Sequence, residues 1–284
     1  MTRFRRVLEH VDAHLGEELS VERLSGVAAY SKFHFLRQFS ALFGVGAHEY
    51  VQLVRLKRAA YELAFRERSV LDVALDAGYE SPEAFARAFK KATGQSPSEL
   101  KKQPDWAALD AALRPVRDVR RQHMTRENEA RQVEVITFEE TKVGVLEHRG
   151  DHAHIGDTIR KFIAWRRENH LPPSTSATFN LLYGDPDKVP PDEFRLDLCA
   201  AVKGEVAPNA YGVAGRTIPR GRCARVRHVG SDEAFAATIE WLYKEWLPGS
   251  GEEPRDFPLF LQRVRFFPDV PEHEAVTDLF LPLK

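Results

Sequence analysis

The feature that most constrains this chain is a helix-turn-helix pattern written twice within its first hundred residues. The first copy runs from Leu24 to Phe39 and the second from Val73 to Phe89. At an offset of 50, Ser31, Phe35, Arg37, Phe39 and Gly44 fall on Ser81, Phe85, Arg87, Phe89 and Gly94. Two such units on one chain can set two helices in successive major grooves on one face of a duplex, which a single unit achieves only by dimerising. The pattern implies a DNA-binding regulator that meets double-stranded DNA as a monomer.

Local chemistry supports helices at these places. Ser31 is an N-cap, and the helix it opens places Phe35, Phe39, Leu42 and Phe43 on one inward stripe. Phe33, Leu36, Arg37 and Ser40 are left for the outside, where apolar groups suit thymine methyls and the arginine suits guanine or phosphate, with Lys32 a further DNA contact. In the second unit, Ser69 and Asp72 form a start like a capping box. Gly78 supplies the positive φ of the turn, whereas the first unit carries Ala28 at the matching place and must turn without glycine. Ser81-Pro82 gives a cap followed by proline at the first helical position. Phe85 and Phe89 face in, leaving Glu83, Ala84, Arg87 and Lys91 outside, and Ser96-Pro97-Ser98-Glu99 caps a short closing helix. The segment from about Ala47 to Arg66 predicts one long helix that fixes the spacing of the two units. An all-helical protein-protein module is the competing reading, but it explains neither the duplicated turn and cap nor the outward arginines.

A net charge of −1 over 284 residues looks wrong for a nucleic-acid binder until it is divided. Residues 1–104 carry 16 Lys+Arg against 13 Asp+Glu, and residues 131–284 carry 20 against 24. Phosphate contacts must then come from a local cluster, with Lys32, Arg37, Arg55, Lys57, Arg58, Arg87, Lys90, Lys91, Lys101 and Lys102 as candidates. No apolar run approaches the roughly 18 residues of a membrane helix, and Met1–Arg6 leads into a charged helix rather than a signal core, so a cytoplasmic protein without membrane contact is expected. Cys199 and Cys223 show no framework or zinc spacing and read as reduced structural thiols.

Residues 105–130 alternate arginine with acids around Pro115 and read as a charged, partly helical linker. Beyond it lies a second repeat at an offset of 80. Val145–Gly150 is echoed by Arg225–Gly230, and Thr158-Ile159 by Thr238-Ile239. Each copy predicts a strand, a glycine turn, an amphipathic helix and two further strands, Thr178–Tyr183 with Arg195–Val202 and Leu259–Phe266 with Ala275–Leu281. A pseudo-twofold pair of such units leaves a cleft suited to a ligand. The run His148-Arg149-Gly150-Asp151-His152-Ala153-His154 suggests a metal, but His228 has no matching cluster, so solvated loop histidines and no metal are expected. No nucleotide loop, nucleophile elbow or catalytic triad spacing appears, and no cofactor is expected.

With Ser31-Lys32-Phe33-His34-Phe35 through Phe39 and Gly44, Arg55-Leu56-Lys57-Arg58-Ala59, and Ala77-Gly78-Tyr79 through Phe85, Phe89, Gly94 and Ser96-Pro97, residues 1–104 resemble the AraC/XylS family of transcription regulators. The resemblance implies base reading by Phe33, Leu36 and Arg37 from one helix and by Glu83, Ala84 and Arg87 from the other. His148-Arg149-Gly150, His228-Val229-Gly230 and Thr277–Leu283 make residues 131–284 similar to the GyrI-like effector-binding domain. That resemblance implies a pocket drawn from Phe179, Tyr183, Tyr211, Trp165, Trp241 and Phe260, with Leu261 where relatives place a glutamate. A neutral pocket of this kind neither pairs with a buried cation nor supplies a general base.

The expected protein is therefore multidomain, an all-α double helix-turn-helix domain (1–104), a linker (105–130) and an α+β domain of duplicated β-α-β-β units (131–284). It is read as a regulator, not an enzyme, whose partners are DNA, RNA polymerase and a small apolar or amphipathic effector or a protein. The rival readings are a tethered hydrolase, which needs Glu147, Glu205 or Glu240 as its carboxylate, and a binding module for a protein such as gyrase.

Overall fold

The computed structural model describes residues 2–123, 131–185 and 188–284. The chain divides into two compact units, Met1–Arg126 with Pro271–His273, and Glu127–Val270 with Glu274–Lys284.

The first unit is helical: α1 (Thr2–Ala13), α2 (Val21–Ala28), α3 (Lys32–Phe43), α4 (Ala47–Phe65), α5 (Val70–Asp76), α6 (Pro82–Thr93), α7 (Pro97–Lys102) and α8 (Trp106–His123). The serine caps act as the pattern predicts. Ser31 Oγ accepts from the His34 amide at 3.4 Å and Ser81 Oγ from the Ala84 amide at 3.2 Å. Gly44 and Gly94 close the two helices with φ of 68° and 81°. At α7 the Ser96 and Glu99 side chains bond each other's backbone in a full capping box.

The two turns match, but one residue out of the expected register. Both α2 and α5 end in the same double bond. Ala29 and Tyr30 donate to Gly26 and Ser25, as Gly78 and Tyr79 donate to Leu75 and Ala74. This is a Schellman cap, whose penultimate residue must be left-handed. Glycine takes that place at Gly78, whereas Ala29 adopts φ 53° with a Cβ. A left-handed alanine costs about 1 kcal/mol. Ala29→Gly is therefore expected to stabilise the first unit by up to about 1 kcal/mol in urea denaturation, and a loss of stability would show that the methyl is held by its surroundings.

Phe35, Phe39 and Phe43 enter the core with Phe4, Val7, Leu8, Leu24, Tyr50 and Val54. Phe4 stacks on Phe35 at 5.9 Å, and Phe39 meets Phe43 at 4.5 Å. Leu42, expected on the same stripe, is 40% exposed, because three aromatic rings already fill the space at the end of α3. Residues 105–130, read as a charged linker, contain the 18 residues of α8. Val116 and Val119 are buried in the same core, Trp106 stacks on Phe65 at 5.4 Å, and buried Arg120 donates to Asp12 at 2.6 Å. The apolar positions of α8 recur at helical spacing between its charges, which is why the segment docks instead of remaining a tether.

The second unit holds β1 (Val133–Phe138), β2 (Thr141–Arg149), α9 (Ile155–Glu168), β3 (Thr178–Leu182), β4 (Arg195–Ala201), β5 (Ala214–Ile218), β6 (Gly221–Val229), α10 (Phe235–Trp241), α11 (Leu247–Ser250), β7 (Leu259–Arg265) and β8 (Val276–Pro282). Among the described residues, eight strands form one sheet in the order β1-β6-β8-β7-β3-β4-β2-β5, every pair antiparallel. The duplication is visible as β2-α9-β3-β4 and β6-α10-β7-β8. Its axis runs between β3 and β7, where Phe179 pairs Gln262 and Leu181 pairs Phe260 around the central pair Asn180 and Leu261.

Two strands were not anticipated, and they exchange halves. β1 opens the first copy but pairs with β6, and β5 opens the second copy but pairs with β2. Only residues 139–140 join β1 to β2, and only 219–220 join β5 to β6. Three Cα steps span at most about 11 Å, whereas six strand spacings across a flat sheet are about 29 Å. The sheet therefore curls, with α9 and α10 on its outer face and the other face turned in.

Candidate nucleic-acid interface and effector-domain interior

On α3 and α6 the capped starts give equivalent positions. Each serine is followed by the same count of residues to an outward arginine, Arg37 or Arg87, and neither arginine engages another described residue. Phe33, one turn before Arg37, is 80% exposed. No packing within the unit accounts for so large an exposed ring. Its counterpart in α6 is Glu83, exposed and without a partner among the described residues, and Lys91 continues the same side.

The other expected readers are more restricted. Leu36 is half-buried against the first-unit core, Ala84 is half-buried, and Lys32 is ion-paired with Glu22. Of the candidate phosphate contacts, Lys57 is buried and Arg58 is held by Glu62 at 3.0 Å. Arg55 is occupied differently. Its Nε donates to the Leu15 carbonyl at 3.0 Å and its Nη2 to the Glu17 carbonyl at 2.6 Å, while a Cβ at Gly78 would lie 3.3 Å from its Nη1. Beside it the Tyr79 hydroxyl donates to Gln52 Oε1 at 3.1 Å. Arg55 and Gln52 on α4 thus tie the start of one helix-turn-helix to the turn of the other. The long helix was expected from sequence; this pair of contacts was not.

In the second unit the seven aromatic and apolar residues expected to share a pocket are divided by the sheet. Phe179 and Phe260 are on the inward face, packed with Phe138 and Phe280, and Tyr183 lies exposed at the rim of that face. Trp165, with a ring so close under β2 that a Cβ at Gly144 would overlap it, packs with half-buried Tyr211 on the helix-covered face. Trp241 and Leu261 pack there as well, with α10. They cannot line one cavity, because neighbouring strand residues point to opposite faces. Gln262, not Leu261, carries the inward position on β7.

The inward face centres on Phe138, whose ring lies 4.9 Å from Phe260, 5.3 Å from Phe280 and 6.0 Å from Phe179. Two carboxylates flank this cluster at related places, Asp197 on β4 and Asp278 on β8. Fully buried Asp197 accepts from the Tyr183 hydroxyl at 2.9 Å, from Arg195 Nε at 3.0 Å and from Arg216 Nη1 at 3.4 Å. Asp278 accepts two bonds from Arg227, at 2.7 and 2.8 Å. The repeated Asp-Leu at an offset of 81 was the sequence signal for this pair, and it went unread. Burial and the bond to Asp197 push the Tyr183 phenol up to about 12. Burial would raise Glu147, yet hydrogen bonds from Arg216 and Arg149 outweigh it and hold that carboxyl below its ordinary range. Cys199 and Cys223 are buried and free, with thiols pushed up by burial.

The duplicated histidines are structural. His148 is buried, with Nε2 3.2 Å from the Asp151 carbonyl and Nδ1 2.8 Å from Thr158 Oγ1. His228 repeats this with Ser231 at 3.1 Å and Thr238 at 3.4 Å. His148 lies in strand β2, where its side chain pins the strand to the helix after it, while His152 in the following turn is exposed. Burial lowers both imidazoles from the usual 6.5. The unfolded chain binds those protons more readily, so stability is intact above pH 6.5 and falls as pH drops below it. The urea midpoint of the second unit should decrease between pH 7 and pH 5, before the carboxylates titrate; a flat midpoint would contradict neutral, buried imidazoles. Among the described residues, no group of three or more His, Cys, Asp or Glu is placed to hold a metal, and no helix is long and apolar enough to cross a membrane.

Comparison with known proteins agrees with both halves. Residues 131–284 match the GyrI-like small molecule binding domain, and residues 24–103 match a helix-turn-helix domain. The "Probable transcriptional regulator YgiV" of Escherichia coli K12 is 34% identical over 152 residues, which is 53% of this chain and 95% of that protein. The "Right origin-binding protein" of the same organism is 34% identical over 111 residues, 39% of this chain and 38% of that protein. The cryo-EM structure of an EcmrR–DNA complex covers 90% of this chain and 85% of its own, at 14% identity and a TM-score of 0.46. The chain belongs to the GyrI-like family, its small molecule binding domain joined to an AraC-type helix-turn-helix domain in a DNA-binding transcription regulator.

Proposed function

We propose that a single copy of this chain grips double-stranded DNA through α3 and α6, and that its C-terminal domain senses a small apolar or amphipathic molecule, adjusting contact with RNA polymerase in the cytoplasm. The carrying observation is the matched pair of capped helices, each with an outward, unpartnered arginine at the same position. Two readers on one chain remove the need for a second copy.

The sensing role is supported by the ring cluster at the pseudo-twofold axis. An effector entering between the halves has to displace Phe138 or Phe260, and it meets carboxylates already neutralised by Arg195, Arg216 and Arg227. A neutral ligand suits that lining better than a cation. Residues 1–104, 105–130 and 131–284 serve as reader, connection and sensor in this reading, with α8 (Trp106–His123) part of the connection.

A hydrolase is disfavoured by the same chemistry. Glu147 is held as a weakly basic carboxylate, Glu205 is exposed, and Glu240 is lowered by its bond to Lys244. Neither Glu147 nor Glu240 has the raised pKa of a general base at neutral pH.

The test is a salt series of gel shifts with the full chain on double-stranded genomic fragments. Affinity should fall steeply as salt rises from 50 to 200 mM, roughly 10³-fold or more if six phosphates are contacted, with a one-to-one stoichiometry on the bound site. A flat curve, or a two-to-one complex, would reject the proposal.

A further inference from the structure

The two reading helices share a frame of caps, inward phenylalanines and an outward arginine, and carry opposite chemistry at an exposed position of their first turn. Ser31 and Ser81 cap them, and Arg37 and Arg87 project from the same helical position. At the second residue of each helix, one has Phe33 and the other Glu83. Both side chains are exposed, and neither is engaged by another described residue. On the reading that α3 and α6 enter successive grooves, these two residues occupy the same site over two different base pairs.

We propose that the two half-sites are chemically unequal: Phe33 selects a thymine and Glu83 selects a cytosine, with Arg37 and Arg87 making the shared contact to guanine or phosphate one turn later. An aromatic ring offers no hydrogen bond, and in a major groove its apolar partner is the thymine C5 methyl. A carboxylate offers only acceptors, and the cytosine N4 amino group is the donor that satisfies them. A carboxylate in a groove lined with phosphates is otherwise repelled, so Glu83 weakens binding wherever cytosine is absent. The discrimination is partly negative, exerted against the wrong base rather than gained from the right one. The operator is then asymmetric although the protein domain is duplicated.

The experiment selects binding sites for the full-length chain from random duplexes, then measures single base-pair changes by fluorescence anisotropy. A thymine-bearing first half and a cytosine-bearing second half are expected, with the cytosine change costing roughly 5- to 150-fold. Glu83→Ala should abolish that discrimination and bind random duplex more tightly than the unaltered chain. Glu83→Gln should move the preference toward adenine, and Phe33→Glu should bring a cytosine preference into the first half. If Glu83 serves only the dipole of α6, its replacement lowers thermal stability and leaves every base preference in place, which overturns the proposal. Tight binding without base preference in the second half overturns it while leaving the DNA-binding reading intact. Failure to bind any duplex at low salt overturns both.

Discussion

Replacing Phe260 with alanine is expected to destabilise the second unit by about 3–5 kcal/mol. The ring has no exposed surface, stacks on Phe280 at 4.9 Å and meets Phe138 edge-on at 4.9 Å. It sits beside the pseudo-twofold axis, where the two copies of the repeat meet, so rings from several strands lose a neighbour together. For a unit of this size, each kcal/mol moves the melting temperature by about 2–4 °C, which calorimetry of the full chain resolves. The space left is bordered by the rings of Phe138, Phe179, Phe257 and Phe280, and an apolar cavity stays dry and admits small aromatic molecules. Rescue of the melting temperature by benzene or indole would confirm the shape of the space. A loss below 1 kcal/mol would mean that the interior is loosely packed and that an effector need displace nothing.

The second large effect concerns DNA. Arg37→Ala and Arg87→Ala should each cost about 1–3 kcal/mol at a cognate site. The two lie on separate helices without a shared partner, so the losses add, and the double variant should bind roughly 30-fold to more than 10⁴-fold more weakly. Folding should be unaffected, since both side chains are exposed and neither engages another described residue. Footprints that persist in the double variant would remove both arginines from the interface.

How much of this could be read beforehand differs between the halves, for a physical reason. In the first unit the determinants are local: a serine hydroxyl bonds an amide three residues on, and aromatic stripes recur every turn, so the caps at Ser31, Ser81 and Ser96 and the core of Phe35, Phe39, Phe85 and Phe89 follow from short stretches of sequence. The one-residue shift between Ala29 and Gly78 escaped because alanine carries no mark of a left-handed residue. In the second unit the repeat and its strands were visible, but strand pairing is set by contacts distant in sequence. Nothing near Val133 or Ala214 says which half each joins. The mixed aromatic pocket was a different matter: Phe260 and Leu261 are adjacent in a strand and must face opposite ways, so alternation alone separates them. Arg55 appeared as a cation free for phosphate, because its partners Leu15 and Glu17 are backbone carbonyls, which leave no trace in side-chain patterns.

The exchange of β1 and β5 has a consequence for how such a domain arises and comes apart. One copy of the repeat, taken alone, ends with its opening strand unplaced and an unoccupied berth beside β2 or β6. Two copies fill each other's berths, whether they share a backbone or not, so the unit is a strand-swapped dimer written into a single polypeptide. Severing the chain near residue 207 should therefore leave two half-sheets, each completed by pairing with the other or with a second copy of itself.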